Sequence, residues 1–92
     1  MDIFGLRDPT LLNVVAYIDE QLARRDEDAG IAYSIAGLYS LANIDKLRMD
    51  PDLNDVLALA GSLEILEGSQ ESRDHDWHEL RASLERLRAR AA

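Results

Sequence analysis

The most regular spacing of apolar positions lies near the end of the chain. Trp77, Leu80, Leu84, Leu87 and Ala91 alternate steps of three and four, which puts all five within about 80° of arc on an α-helix. This seam predicts a helix over 74–90. Upstream, Leu53, Val56, Leu57, Ala60, Leu63 and Leu66 form a wide apolar arc and predict a well-buried helix over 51–67. Near the start, Leu11, Val15, Ile18 and Leu22 recur at steps of four, three and four, flanked by Leu12 and Val14, with Asn13, Glu20 and Arg24 opposite. They predict an amphipathic helix over 9–25.

The stretch between these, AGIAYSIAGLYSLANI over residues 29–44, contains no charged residue in a chain that is 30% charged. It predicts a central helix over 31–48 that the other segments surround. On helical spacing Ile31, Ile35, Leu38 and Ala42 share one stripe, while Tyr33, Ile44 and Leu47 fall opposite. Ala32, Ala36, Ser40 and Asn43 make a row of small residues suited to close helix packing. The run is too short and too polar for a membrane span, which needs about 20 apolar residues. Gly37 inside the pattern costs about 1 kcal/mol relative to Ala, a cost that close packing or a local break would explain. A domain this small has difficulty covering one helix on every side, so the Tyr33 side is the expected partner or dimer surface.

Punctuation supports these boundaries. Asp8-Pro9 and Asp50-Pro51 each combine a capping carboxylate with proline at the first helical position. Gly68 suits a helix C-terminus, residues 68–72 read as a linker, and Asp76 with Glu79 has the spacing of a capping box. Strand signals are absent from the pattern. The expected fold is all-α: a compact antiparallel bundle of about four helices in two hairpins, one domain over 1–92, preceded by a short lead over 1–7. The segments DPTLLNVVA and DPDLNDVLA, 42 residues apart, admit two accounts, an internal duplication or shared capping chemistry.

Charge narrows the function. The formal net charge of the 92 residues is −8. Residues 1–70 hold 13 acids and 5 bases, and residues 71–92 hold 5 of each. Such a surface repels phosphate backbones and steers toward basic partners. Without cysteine there is no disulfide framework and no thiolate metal site. The N-terminal MDIFGLRDP does not read as a secretory signal, and the cytoplasm is the expected compartment.

Candidate chemistry is sparse. Asp50, Asp52 and Asn54 start like a calcium loop, but Asp55 and Gly61 stand where an EF-hand needs glycine and a bidentate glutamate. His75 and His78 lie one turn apart among Asp74, Asp76 and Glu79, yet point away from the Trp77 seam and lack a fixed third ligand. No nucleophile elbow or phosphate loop occurs in the sequence. Arg86, Arg88 and Arg90 crowd a helix end, where cations favour the negative pole. The expected protein is therefore a small acidic, non-catalytic helical interaction module: an adaptor, regulator or inhibitor acting by protein–protein contact or as a homodimer. No cofactor, metal, membrane or direct nucleic-acid partner is expected. Phe4, Tyr33, Tyr39 and Trp77 are its candidate interface, because aromatic residues dominate interface energetics. Two other readings are an acidic nucleic-acid mimic that blocks a DNA- or RNA-binding protein, and a metal-binding or enzymatic protein using His75 and His78.

Overall fold

The seam and the arc become the two longest-packed faces of the structure, a computed structural model that describes residues 9–24, 29–65 and 68–91. Five α-helices occur among the described residues: α1 (Leu11–Arg24), α2 (Ala29–Ala36), α3 (Ile44–Leu47), α4 (Pro51–Leu63) and α5 (Gln70–Ala91), with a 3-10 turn at Gly37–Ser40. None of these residues forms a strand. The chain is an all-α bundle in which α4 packs against both α5 and α2, and α5 closes onto α1. Its radius of gyration, 12.4 Å, matches the roughly 12 Å expected of a folded domain of this length.

Every arc residue within the described part of α4 is buried: Leu53, Val56, Leu57, Ala60 and Leu63. The α5 seam buries Trp77, Leu80, Leu84 and Leu87, and adds Ser83. Asp50 caps α4 as its sequence implies. Its Oδ1 accepts from the backbone N–H of Asp52 at 3.0 Å and of Leu53 at 3.2 Å, and Pro51 takes the first helical position.

Other boundaries differ. α1 starts two residues after Pro9, and Asp8 lies outside the described residues. Thr10 and Asn13 cap it reciprocally: Asn13 N–H donates to Thr10 Oγ1 at 3.3 Å, and Thr10 N–H donates to Asn13 Oδ1 at 3.1 Å. The two Asp-Pro segments are thus used in different registers. The buried face of α1 is also rotated from the expected stripe: Val14, Val15, Tyr17, Ile18 and Gln21 are inside, while Leu12 is exposed. Tyr17 can be buried because its hydroxyl donates to the Ser34 carbonyl at 3.0 Å, tying α1 to α2. α5 begins at Gln70 rather than 74. Gly68 adopts φ +83°, Ser69 Oγ then accepts from Ser72 N–H at 3.1 Å, and Asp76 and Glu79 fall inside the helix. The first two turns of α5 are mostly polar and exposed, so apolar periodicity could not reveal them. The helix expected over 51–67 ends at Leu63 in the described residues.

The largest correction concerns the central helix. It is not continuous over 31–48 but breaks after Ala36 into the 3-10 turn, an extended Leu41 (φ −67°, ψ 139°) and the single turn of α3. The spacing explains the break. Leu38, Leu41, Ile44 and Leu47 are all buried and recur every three residues. On a 3.6-residue helix each such step rotates the side chain by about 60°, turning Ile44 and Leu47 roughly 140–160° from Ile31. A backbone closer to three residues per turn keeps them on one side. Hydrogen bonds three residues apart follow: Leu41 N–H to Leu38 O (3.1 Å), Ile44 N–H to Leu41 O (3.2 Å) and Asp50 N–H to Leu47 O (3.1 Å). Asn43 pins the elbow to the start of α1, donating from Nδ2 to the Pro9 carbonyl at 3.1 Å.

A continuous helix would place Tyr33 and Ile44 on the same side, so the break makes a testable distinction. Ile44→Ala is expected to cost about 2–5 kcal/mol, as for a core residue. Tyr33→Ala should stay within about 0.5 kcal/mol. Urea denaturation of both variants decides the matter, and similar values for the two would contradict the broken backbone.

Candidate functional site

The break also decides what becomes of the candidate aromatics. Phe4 lies outside the described residues. Trp77, at 6% exposure, belongs to the core and offers no surface on the folded protomer. Tyr33 and Tyr39 remain outside, 71% and 40% exposed. A continuous helix would separate their directions by about 120°. With the 3-10 turn between them, both line one cleft of about 310 Å³ together with Ala36, Gly37, Ser40, Gly61 and Glu64. Four of the seven lining residues, Ala36, Gly37, Ser40 and Gly61, are small, and Gly61 and Glu64 bring the end of α4 to the same cleft as the two tyrosines.

Two features of this cleft escaped the sequence pattern. Gly61 lies inside α4, where glycine costs about 1 kcal/mol relative to alanine. A Cβ built there meets nothing within 4 Å, so helix packing does not require the glycine. Glu64 follows the last turn of α4 and is exposed; its carboxylate forms no ion pair among the described residues. A helix-interior glycine without a packing role was a readable signal, but nothing in the sequence alone joined it to residues some 25 positions earlier.

Tyr39 already holds a cation. The Arg48 guanidinium carbon sits 5.1 Å from the centroid of its ring, within cation–π range. Arg48 is steadied by Asn54 Oδ1, which accepts from Nε at 3.3 Å, and by Asp45 at 3.4 Å. It does not line the cleft.

The strongest concentration of charge lies elsewhere, where α5 ends against the start of α4. Arg90 grips Asp50 through two hydrogen bonds of 2.6 and 2.8 Å and reaches Asp52 at 2.6 Å. Arg86 Nε donates to Asp52 at 3.1 Å, and its Nη2 donates to Ser83 Oγ at 3.0 Å. Arg88 pairs with Asp19 of α1 and with Glu85. The arginines expected to face only their own helix pole therefore join three helices, and they fix α4 and α5 as antiparallel. Hydrogen bonding to Arg90, reinforced for Asp52 by Arg86, holds both Asp50 and Asp52 below the ordinary carboxylate range. The same contacts raise the pKa of Arg90. Asp50 and Asp52 are thus held by Arg90 and Arg86 together, and the cluster clamps the start of α4 to the end of α5.

His75 and His78 are both exposed on α5. Among the described residues no three His, Cys, Asp or Glu side chains gather as a metal-holding group, and no helix is long and apolar enough to cross a membrane. Compared with known protein families, with curated proteins and with solved structures, the chain finds no match.

The cleft and the clamp each generate a prediction. Gly61→Ala should stabilise the protein by about 0.5–1 kcal/mol in thermal or urea unfolding, since the methyl group enters open space; a loss of stability would mean that the space beside Gly61 is packed. For the clamp, the folded-state pKa values of Asp50 and Asp52 are lowered, so their stabilisation is fully present above about pH 4 and is lost as pH falls through the folded values. Arg90→Met should therefore be less stable than the parent at neutral pH, and the gap should close as pH drops below about 4. A gap independent of pH would assign the arginine a packing role alone.

Proposed function

We propose that this protein is a small acidic interaction module that acts by contact with a protein partner, without chemistry of its own, and that the Tyr33–Tyr39 cleft is its contact face. The observation that carries this reading is that two exposed tyrosines line one cleft together with small residues. Tyrosine contributes large contact area at low entropic cost and is enriched at protein interfaces. Tyr33, at 71% exposure, contributes little to the fold and is free to contribute to an encounter.

The surface charge supports contact rather than mimicry of a nucleic acid. A mimic needs an unbroken acidic stripe. Asp19, Asp50 and Asp52 are instead neutralised by Arg88, Arg90 and Arg86, which removes them from any such stripe. The remaining exposed carboxylates still favour a basic partner over a neutral one.

Site-specific photocrosslinking in the source cell tests the reading. A benzophenone amino acid replaces Tyr33 in one variant and Leu12, exposed on α1, in another. A discrete protein adduct from position 33, absent from position 12, is expected. An adduct of twice the chain mass would identify a homodimer through this face. No adduct at position 33, or the same adducts at both positions, would remove the cleft as the contact face.

A further inference from the structure

The cleft's chemistry narrows its occupant further. We propose that it receives an arginine side chain from a basic segment of the partner, with the guanidinium on the Tyr33 ring and paired with Glu64. This inference rests on the contact-module reading and specifies its partner.

Three observations converge on a cation. The faces of the two rings carry the negative side of the aromatic quadrupole, which attracts cations. Glu64 places a carboxylate on the same cleft and forms no ion pair among the described residues. Inside the protein, Arg48 already rests over Tyr39 at 5.1 Å, so a phenol ring of this cleft serves as a guanidinium platform within the fold, and among the described residues the Tyr33 ring carries no such cation. Net charge points the same way: at −8, the chain attracts a basic segment at long range before any contact forms.

Arginine fits better than lysine. Its planar guanidinium can stack on a phenol ring and still present a fork of N–H donors to a carboxylate, whereas an ammonium is a strongly hydrated point charge. The small residues Ala36, Gly37, Ser40 and Gly61 line the rest of the cleft, whose volume is about 310 Å³. A second groove among the described residues, between α4 and α5, has different chemistry. Asp55 and Glu79 line it, but so does Arg86, which already supplies the cation there.

The test uses the full chain, labelled with nitrogen-15, and a short Gly/Arg repeat peptide. The control is the same peptide with citrulline, which keeps the shape and loses the charge. Saturable amide shifts at Ala36, Gly37, Ser40 and Gly61 are expected with the arginine peptide. Citrulline, or either Glu64→Gln or Tyr33→Leu, should weaken binding by about threefold or more, in line with one cation–π or ion-pair contact. Asp55→Asn should leave affinity within about twofold, the scale of a screened distant charge. Shifts centred on Asp55 and Glu79, equal binding of the citrulline peptide, or no saturable shift would overturn the proposal. If position 33 still crosslinks to a protein partner in the cell, only the arginine chemistry falls; if it does not, the contact face falls with it.

Discussion

Four leucine and isoleucine side chains at three-residue intervals impose the constraint on which the rest of this structure depends. Leu38, Leu41, Ile44 and Leu47 must all reach one core, and a regular α-helix cannot deliver them there because each step of three falls about 60° short of a full turn. The backbone yields instead. It tightens at Gly37–Ser40, extends at Leu41 and resumes as one turn of helix. The poorer hydrogen-bond geometry of the tightened segment is offset by burying large apolar side chains, each contributing about 1.5–3 kcal/mol. What stays outside is set by the same compromise: Tyr33 precedes the break, Tyr39 lies within it, and both come to line one cleft.

The second organising contact is ionic, and it works because of where it lies. An exposed ion pair contributes little, about 0–1 kcal/mol. Here Asp50 is held at once by its capping bonds to Asp52 and Leu53 and by both N–H groups of the Arg90 fork. A side chain already fixed by one set of bonds loses less freedom in forming the next. The clamp also gives α4 and α5 a direction and a register that their apolar faces alone leave loose, since leucine-rich surfaces accept sliding more readily than paired charges do. Arg88 extends the arrangement to α1 through Asp19. Charge in this chain thus specifies geometry at the start of α4, while the cleft lies at the end of the same helix.

Legibility followed the length and regularity of each apolar pattern. The α4 arc and the α5 seam could be read residue by residue because each lies on a regular helix and buries one face. The α1 stripe lies a little off its axis: Leu12 flanks it by hydrophobicity but is exposed, while Tyr17 and Gln21, which the stripe does not include, are buried. Tyr17 is inside because the Ser34 carbonyl meets its hydroxyl, a tertiary contact invisible to local spacing. The polar first turns of α5 were missed for the opposite reason. They carry no apolar stripe, and their order comes from Ser69 capping and the bonds among Gln70, Arg73 and Asp74. The three-residue repeat of the elbow was present in the sequence, but reading it at 3.6 residues per turn turned Ile44 and Leu47 outward. Of the candidate aromatics, Trp77 was claimed by the core through its place in the α5 seam. The cleft itself could not be read, because Gly61 and Glu64 come from a different helix.

Departures from local rules that bring the fold no benefit are informative about function, because stability alone would remove them. Three such departures meet at the cleft. Tyr33 exposes a large aromatic surface that the core does not use. Gly61 weakens a helix interior at a position with space for a methyl group. Glu64 places a carboxylate on the cleft that Tyr33 and Tyr39 also line, while arginines elsewhere in the chain pair with Asp19, Asp50 and Asp52. Any one of them alone is ordinary surface variation. Their convergence from α2, the 3-10 turn and α4 onto one concave surface is what packing cannot account for, whereas among the described residues no three His, Cys, Asp or Glu side chains gather as a metal-holding group. The physical case for this face is therefore one of co-location: the aromatic area, the open space at Gly61 and the uncommitted charge occur where a single basic side chain could use all three.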